Sequence, residues 1–198
     1  MGNIRISQKP EWLRWDDLAA CQQRAHESNK ARGVNMQCAD LSGITLKNTL
    51  RDAITLVALD ESDTIAGMLS IEFRQVKRWW YNGCAAYICY VAVTPEFKGR
   101  GIYKSLSNSA DEIVRNNGVD VEYLNTHIDN TIAIRVYEND GYSKVRFSPG
   151  SGTDYYSVEM AKWINERRRK NKFICRLCYI CTEFISRIIY KPGKIRRF

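Results

Sequence analysis

The sequence predicts an α/β fold of layered build, with helices packed on a sheet of mixed but mostly antiparallel strands. Three observations point there. Extended runs at residues 54–59, 64–76 and 85–93 follow one another with turn residues between them, which makes them antiparallel neighbours. A strand–helix–strand–helix passage then runs from about Val91 to Tyr142. Extended runs resume after Gly141 and return the chain to antiparallel pairing.

In chain order, Glu11 to about Glu27 has helical spacing, with Trp12, Trp15, Leu18, Ala19, Gln22 and Ala25 along one side. Residues 28–50 carry Gly33 and Gly43 among polar residues and read as loop, with a short helix near Leu46. Ile54–Leu59 is a strand, Asp60-Glu-Ser-Asp63 a turn, and Thr64 to Val76 a second strand paired as a hairpin. Tyr81-Asn-Gly-Cys84 reads as the next turn, and Ala85–Val93 as the central strand. A helix follows from Gly101 to Asn117, then an extended run from Val119 to Thr126 and a helix opened by Asn130. After Gly141 come a strand, a Pro149-Gly-Ser-Gly152 loop and a last strand from Asp154 to Met160. No internal repeat or low-complexity segment interrupts this order.

The 198 residues make about one domain with some chain left over, and a hydrophobic content of 44% supports a sizeable core. The boundary falls on charge. Residues 162–198 hold twelve Lys/Arg against Glu166 and Glu183, whereas residues 1–161 hold eighteen basic and twenty acidic groups. The first segment is therefore a nearly neutral domain, and nothing in it points to nucleic acid. The positive field belongs to residues 162–198. The opening Met1-Gly-Asn-Ile-Arg-Ile-Ser has no apolar stretch behind a basic flank, so no secretion signal is expected, and Ser7 stands one residue late for a myristoylation signal at Gly2. Seven cysteines without such a signal suggest free thiols in a cytoplasmic setting.

The most informative stretch is Val91-Ala-Val-Thr-Pro95-Glu-Phe-Lys-Gly99-Arg-Gly101-Ile-Tyr103. It reads as a buried strand, a proline turn, a glycine loop and the first turn of a helix. Gly99 and Gly101 let the backbone turn tightly and approach a ligand with no Cβ in the way. The helix behind them points its free amides and positive dipole end at the loop, which is an arrangement that binds phosphate. It is neither the Gly-x-x-x-x-Gly-Lys-Ser/Thr loop of nucleotide hydrolases nor the three-glycine dinucleotide fingerprint.

The loop resembles the acyl-CoA loop of the GNAT superfamily of N-acyltransferases, whose strand, proline and Arg/Gln-x-x-Gly-x-Gly/Ala pattern falls on Val91, Val93, Pro95, Lys98, Gly101 and Tyr103. A second family signature, Asn-x-x-Ala followed by Tyr and Gly-Phe/Tyr, falls on Asn130, Ala133, Tyr137, Gly141 and Tyr142. Two positions depart from the pattern. Lys98 keeps the charge of the usual Arg/Gln but loses planar bidentate geometry, and Tyr103 puts a ring where the family has a small residue. Either cofactor affinity is lower or the phosphate path is shifted.

The resemblance implies two neighbouring parallel central strands that splay apart, with the pantetheine arm of acetyl-CoA in the gap. It assigns the cofactor to Val91, Ala92 and Val93, to Lys98, Gly99, Arg100, Gly101, Ile102 and Tyr103, and to Asn130 and Tyr137, with no metal. Tyr137 is cast as the acid that protonates the departing thiolate, its rival role being an apolar-face residue packed on the sheet. Asn130 hydrogen-bonds the cofactor arm in the family; the plainer reading is a helix N-cap. For the base that frees the amine lone pair, His127 at a strand end and Glu72 on the preceding strand are the candidates, against a solvent-facing loop histidine and a solvated strand face. Arg78-Trp79-Trp80-Tyr81 either lines the acceptor pocket or is peripheral core.

In the tail, Phe173, Leu177, Ile180, Cys181, Phe184 and Ile188 form one apolar helical face between basic flanks, but Arg176, Glu183 and Arg187 make it a poor transmembrane span. Residues 166–198 fit an interfacial helix on an anionic membrane, a helix docked on its own sheet, or a homodimer contact. Cys175, Cys178 and Cys181 repeat every third residue but lack a fourth ligand for a metal cluster. The function expected is acetyl transfer from acetyl-CoA to a primary amine of a small molecule, including an amino sugar, by direct attack through a tetrahedral intermediate. The protein is expected in the cytoplasm, peripheral at the inner membrane face. A non-catalytic acyl-CoA sensor or scaffold tethered by its basic tail is the alternative.

Overall fold

The computed structural model describes residues 3–34, 36–149, 156–165 and 172–189. Gly2, the expected loop around Gly150–Gly152, the start of the last strand at Asp154, the charge run Arg167–Lys170 and the basic residues Lys191, Lys194, Arg196 and Arg197 lie outside the described residues. The class is the expected one: helices with mostly antiparallel strands. The chain forms two compact units, one of Met1–Arg74 with Ala86–Gly118, the other of Gln75–Ala85 with Val119–Phe198.

In the first unit, strand β1 (Arg5–Gln8) pairs antiparallel with β2 (Ile54–Leu59), with Ile6 opposite Ala58. Sequence reasoning missed β1, because four residues are too few to show a period. β2 pairs with β3 (Ile65–Arg78) through a hairpin, with Leu56 opposite Leu69. The hairpin turn is held by Asp60, whose Oδ1 accepts from the amides of Ser62 at 2.9 Å and Thr64 at 2.8 Å.

Helix α1 (Trp15–Lys30) starts four residues later than the periodicity suggested, and Trp12 stands outside it, 55% exposed. Asp16 and Asp17 place negative charge in its first turn, where it complements the dipole. Its buried face carries Leu18, Ala19, Cys21, Gln22 and Ala25. Helix α2 (Gly43–Thr49) is the expected short helix at Leu46, capped by the Ser42 hydroxyl accepting from Thr45 N. These helices and strands share one core, built on Leu18, Leu46, Leu50, Val57, Leu59, Met68 and Ala92.

Strand β4 (Tyr81–Val93) begins four residues before the expected position, so Tyr81–Cys84 is strand and the turn is Trp79–Trp80. The reason is packing. Trp80 is fully buried and its indole Nε1 donates to Glu159 Oε1 at 2.9 Å, with the rings of Tyr81, Tyr123 and Trp163 around it. Trp80 is thus core of the second unit, whereas Trp79 is 41% exposed.

After β4 comes a short 3-10 turn, Pro95–Phe97, and then helix α3 (Ile102–Asn116). The second unit continues with β5 (Val121–His127), α4 (Thr131–Asn139), β6 (Ser143–Pro149), β7 (Tyr156–Trp163) and α5 (Lys172–Ile189). β7 lies between β5 and β6 and is antiparallel to both, with Leu124 and Lys144 opposite Met160. At the C-terminal end of α4 sits a buried polar network. Tyr142 donates to Glu122 Oε2 at 2.6 Å, and Lys162 Nζ lies 3.3 Å from Asp140 Oδ2 and 3.9 Å from Glu122 Oε2. The Lys162 ammonium balances part of the charge of two carboxylates that burial would otherwise penalise.

Gly67 on β3 sets how closely α3 and β4 approach it. A Cβ there would meet the Ala92 carbonyl oxygen at 2.6 Å and Ile102 Cγ2 at 3.1 Å. Gly67→Ala is expected to lower the unfolding free energy by about 1–3 kcal/mol, the range of an overpacked core. Urea denaturation checks this, and an unchanged midpoint would show that the contact is not tight in solution.

Candidate active site

The site residues of the first unit hang on the end of β4. Tyr90, within the strand, has φ of +52°, a left-handed value that costs a non-glycine residue about 1–2 kcal/mol. Gln22 of α1 holds it there: its Nε2 donates to the Tyr90 carbonyl at 2.6 Å, and the side chain is 1% exposed. A left-handed residue breaks the extended backbone geometry just before Val91–Val93. Ala92 faces the core, and Val91 and Val93 are half-buried on the opposite face. Nothing in the sequence marks Tyr90 as left-handed. Gln22 was legible only as a position on the helix face.

Beyond Val93 the chain is fixed by Thr94, whose amide donates to Ala66 O at 3.0 Å and whose hydroxyl donates to the same carbonyl at 3.2 Å. Gly99 and Gly101 then both take φ of +77°, and a Cβ on either would find nothing within 4 Å. These glycines answer a backbone requirement, with open space beside them. α3 begins on Gly101, which brings no side-chain cap of its own. Ile102 is buried and Tyr103 half-buried. The two loop cations have different surroundings. Lys98 Nζ donates to Ala25 O of α1 at 3.2 Å, and the Arg100 guanidinium lies over the Phe97 ring at 5.3 Å.

Glu72 is on β3 as expected, but it is not a solvated face residue. Its Oε1 accepts from the Cys89 thiol at 3.6 Å, and its Oε2 accepts from Arg74 Nε at 2.8 Å and from the second Arg74 nitrogen. Burial pushes the Cys89 thiol up, so it stays neutral and donates. Both carboxylate oxygens are therefore already engaged.

In the second unit, His127 ends β5 and is 7% exposed rather than solvent-facing. Its Nδ1 accepts the Asp129 amide at 3.0 Å, which leaves the ring proton on Nε2. Asn130 precedes α4 but makes no side-chain cap; its Nδ2 donates to Thr126 Oγ1 at 3.4 Å, and it is 4% exposed. Tyr137 is half-buried on α4, with its ring 5.9 Å from that of Tyr142. Gly141 at φ of +98° ends the helix and lets the Tyr142 amide reach back to Tyr137 O at 3.0 Å.

Beside Lys98 lies a cluster the sequence did not single out. His26 Nδ1 accepts from Asn29 at 3.2 Å and its Nε2 faces Cys38 Sγ at 3.6 Å. Burial first, then the Lys98 charge, pushes the His26 pKa down to about 4, while burial pushes Cys38 up to about 12, so neither group ionises near neutrality. A His kept neutral in the fold but free to protonate when unfolded stabilises the protein above about pH 6.5 and loses that stability as pH falls toward 4. The loss expected at pH 5 is about 2 kcal/mol relative to pH 7. Urea unfolding at the two pH values should show that much more loss in the parent chain than in His26→Gln; equal losses would mean His26 titrates freely in the fold.

No group of three or more His, Cys, Asp or Glu side chains suited to a metal ion occurs among the described residues; Cys175 is buried, Cys178 half-buried and Cys181 exposed as α5 turns. Comparison with known proteins bears on the geometry. The profile of the Acetyltransferase (GNAT) family matches residues 12–142. N-alpha-acetyltransferase 30 of Schizosaccharomyces pombe is 30% identical over 60 residues, which is 30% of this chain and 40% of that protein. Among solved structures, the NatC complex bound to Gag peptide and CoA superposes with a TM-score of 0.62 at 14% identity, over 82% of this chain and 99% of that one. Aminoglycoside 6'-acetyltransferase type Ii gives 0.61 at 20% identity, over 81% and 97%. At those identities the superpositions speak for the fold alone. The profile spans both signature segments and most of the chain, and the protein belongs to the GNAT acetyltransferase family.

Proposed function

We propose that this chain transfers the acetyl group of acetyl-CoA to a primary amine. The observation that carries the reading is the Gly99-Arg100-Gly101 loop, left-handed at both glycines, open at both Cβ positions and leading into the N-terminus of α3, in a chain of the acetyltransferase family. Those features fit a pyrophosphate: backbone amides and a helix N-terminus meet the charge, and Arg100 adds a cation at the loop. The backbone of Val91–Val93 carries the kind of peptide groups that pair with the amides of a pantetheine arm, and Asn130, whose side chain makes no cap, has a carboxamide suited to hydrogen-bonding a cofactor amide.

Acetyl-CoA supplies the activated acyl group; the chain's own residues orient the thioester, exclude water and manage protons. Tyr137 is the acid that returns a proton to the departing thiolate, whose pKa of about 8.5 makes it a better leaving group when protonated. His127 presents its Nε2 proton, so in this geometry it is a donor or a relay rather than a ready base. Glu72, held by Arg74 and Cys89, orients neighbours before it accepts a proton. The amine thus loses its proton to water or through His127 after a ring rearrangement. This reading has the protein work in the cytoplasm, where acetyl-CoA and free thiols coexist, and all seven cysteines are free in the structure.

For the acceptor, a small-molecule amine such as an amino sugar suits the nearly neutral charge of residues 1–161. The local identity with an N-alpha-acetyltransferase favours a second reading, the α-amine of a peptide. A CoA-release screen across amino sugars, polyamines, amino acids and peptide N-termini separates the two. With the acceptor found, Tyr137→Phe is expected to slow turnover ~100-fold or more while acetyl-CoA affinity in calorimetry stays within about threefold, less than 1 kcal/mol. Equal turnover removes Tyr137 from the acid role. Tight CoA binding with no thiol release from any amine would point to a sensor or scaffold instead.

A further inference from the structure

Helix α5 is docked the opposite way from what its composition suggests. Its small and polar residues face β6: Thr182 Oγ1 accepts the Phe147 amide at 3.0 Å, Ser186 Oγ donates to Phe147 O at 3.5 Å, and the Tyr179 ring meets the Phe147 ring edge-on at 6.1 Å. Cys175 and Ser186 are buried there, 1% and 8% exposed. The apolar residues point away from the protein. Phe173, Leu177, Ile180, Phe184 and Ile188 are between 49% and 72% exposed, and Ile174 and Ile185 about half. At 100° per residue these seven side chains fall within an arc of about 140°, opposite the docked face. Arg176 and Arg187 lie along one border of that arc, both exposed.

Seven large apolar side chains on one exposed helix face are a surface built to be covered. The helix's own unit does not cover it, since α5 already meets β6 with the other side. Nor is it a span: no described helix is long and apolar enough to cross a membrane, and Arg176, Glu183 and Arg187 interrupt the segment. Charge decides between the remaining occupants. Residues 166–198 carry eleven Lys/Arg against two Glu. Pairing two copies face to face would bring two such strongly basic segments together, at a cost from like-charge repulsion. An anionic bilayer offers the complement: acyl chains for the apolar arc, and headgroups for cations at its border and in the flanking sequence.

We propose that the outward face of α5 seats in the interface of an anionic membrane, holding the acetyltransferase domain as a peripheral protein. The inference does not rest on the acetyl-transfer reading. Flotation of the full chain with phosphatidylcholine vesicles, with and without 30 mol% phosphatidylserine, tests it. At least tenfold more protein is expected with the anionic vesicles, lost in 0.5 M NaCl and lost in Ile180→Glu/Phe184→Glu. That variant must keep the parent's melting temperature. Phe184→Trp gives a second readout, an emission blue shift on adding anionic vesicles. Equal flotation with neutral vesicles, flotation unaffected by the double substitution, or no blue shift overturns the proposal. So does a concentration-dependent dimer by light scattering that the double substitution abolishes, which would assign the face to a second copy.

Discussion

The contact between Gln22 and the Tyr90 carbonyl is the constraint on which the first unit's site depends. It joins α1 to β4 through a buried side chain and holds a tyrosine in a backbone conformation that tyrosine does not favour. Around it, Leu18, Cys21 and Ala25 pack with Cys89 and Ala92 in one core, so the hydrogen bond is set inside packing that cannot shift without opening a cavity. The strand runs three residues past that point and is fixed again where Thr94 binds Ala66. Between those two anchors lie the backbone groups that the proposed acetyl-CoA reading uses.

The second constraint is closeness. Gly67 lets the Ala92 carbonyl and the start of α3 approach β3 as no other residue would. α3 is therefore placed by backbone and Ile102 packing, and Gly101 at its start brings no side-chain cap. The second unit uses a different means: buried polar groups. Trp80 with Glu159, and Tyr142 with Glu122, Lys162 and Asp140, tie its strands and the end of α4 together. Such networks resist rearrangement, because freeing one partner leaves a buried charge or donor unmatched.

How much of this was legible follows from where each signal lives. The strand–loop–helix at Val91–Tyr103 and the Asn130–Tyr142 segment were readable because glycines, a proline and helical spacing are local chemistry, whereas the side-chain cap read at Asn130 does not form. Their backbone came out as read, with Gly99 and Gly101 at positive φ. The four-residue β1 was unreadable for want of length, and the turn at Trp79–Trp80 was misplaced because Asn82-Gly83 is the stronger local turn signal while burial of Trp80 is a tertiary effect. Lys98 was legible as a cation near the loop, but not as a donor to Ala25, seventy-three residues back. The tail taught the opposite lesson: periodicity found its apolar face correctly, but that face is the one α5 turns outward.

The central claim is that the β4 end after Tyr90 and the glycine loop before α3 together receive acetyl-CoA. Backbone amide shifts of the isotope-labelled protein, followed by NMR as acetyl-CoA is added to saturation, test it most directly. The account predicts the largest changes at Val91–Val93 and Gly99–Tyr103, with Gln22→Ala weakening binding and shrinking the changes at Val91–Val93. Saturable binding whose shifts centre elsewhere, leaving both segments unmoved, would contradict it.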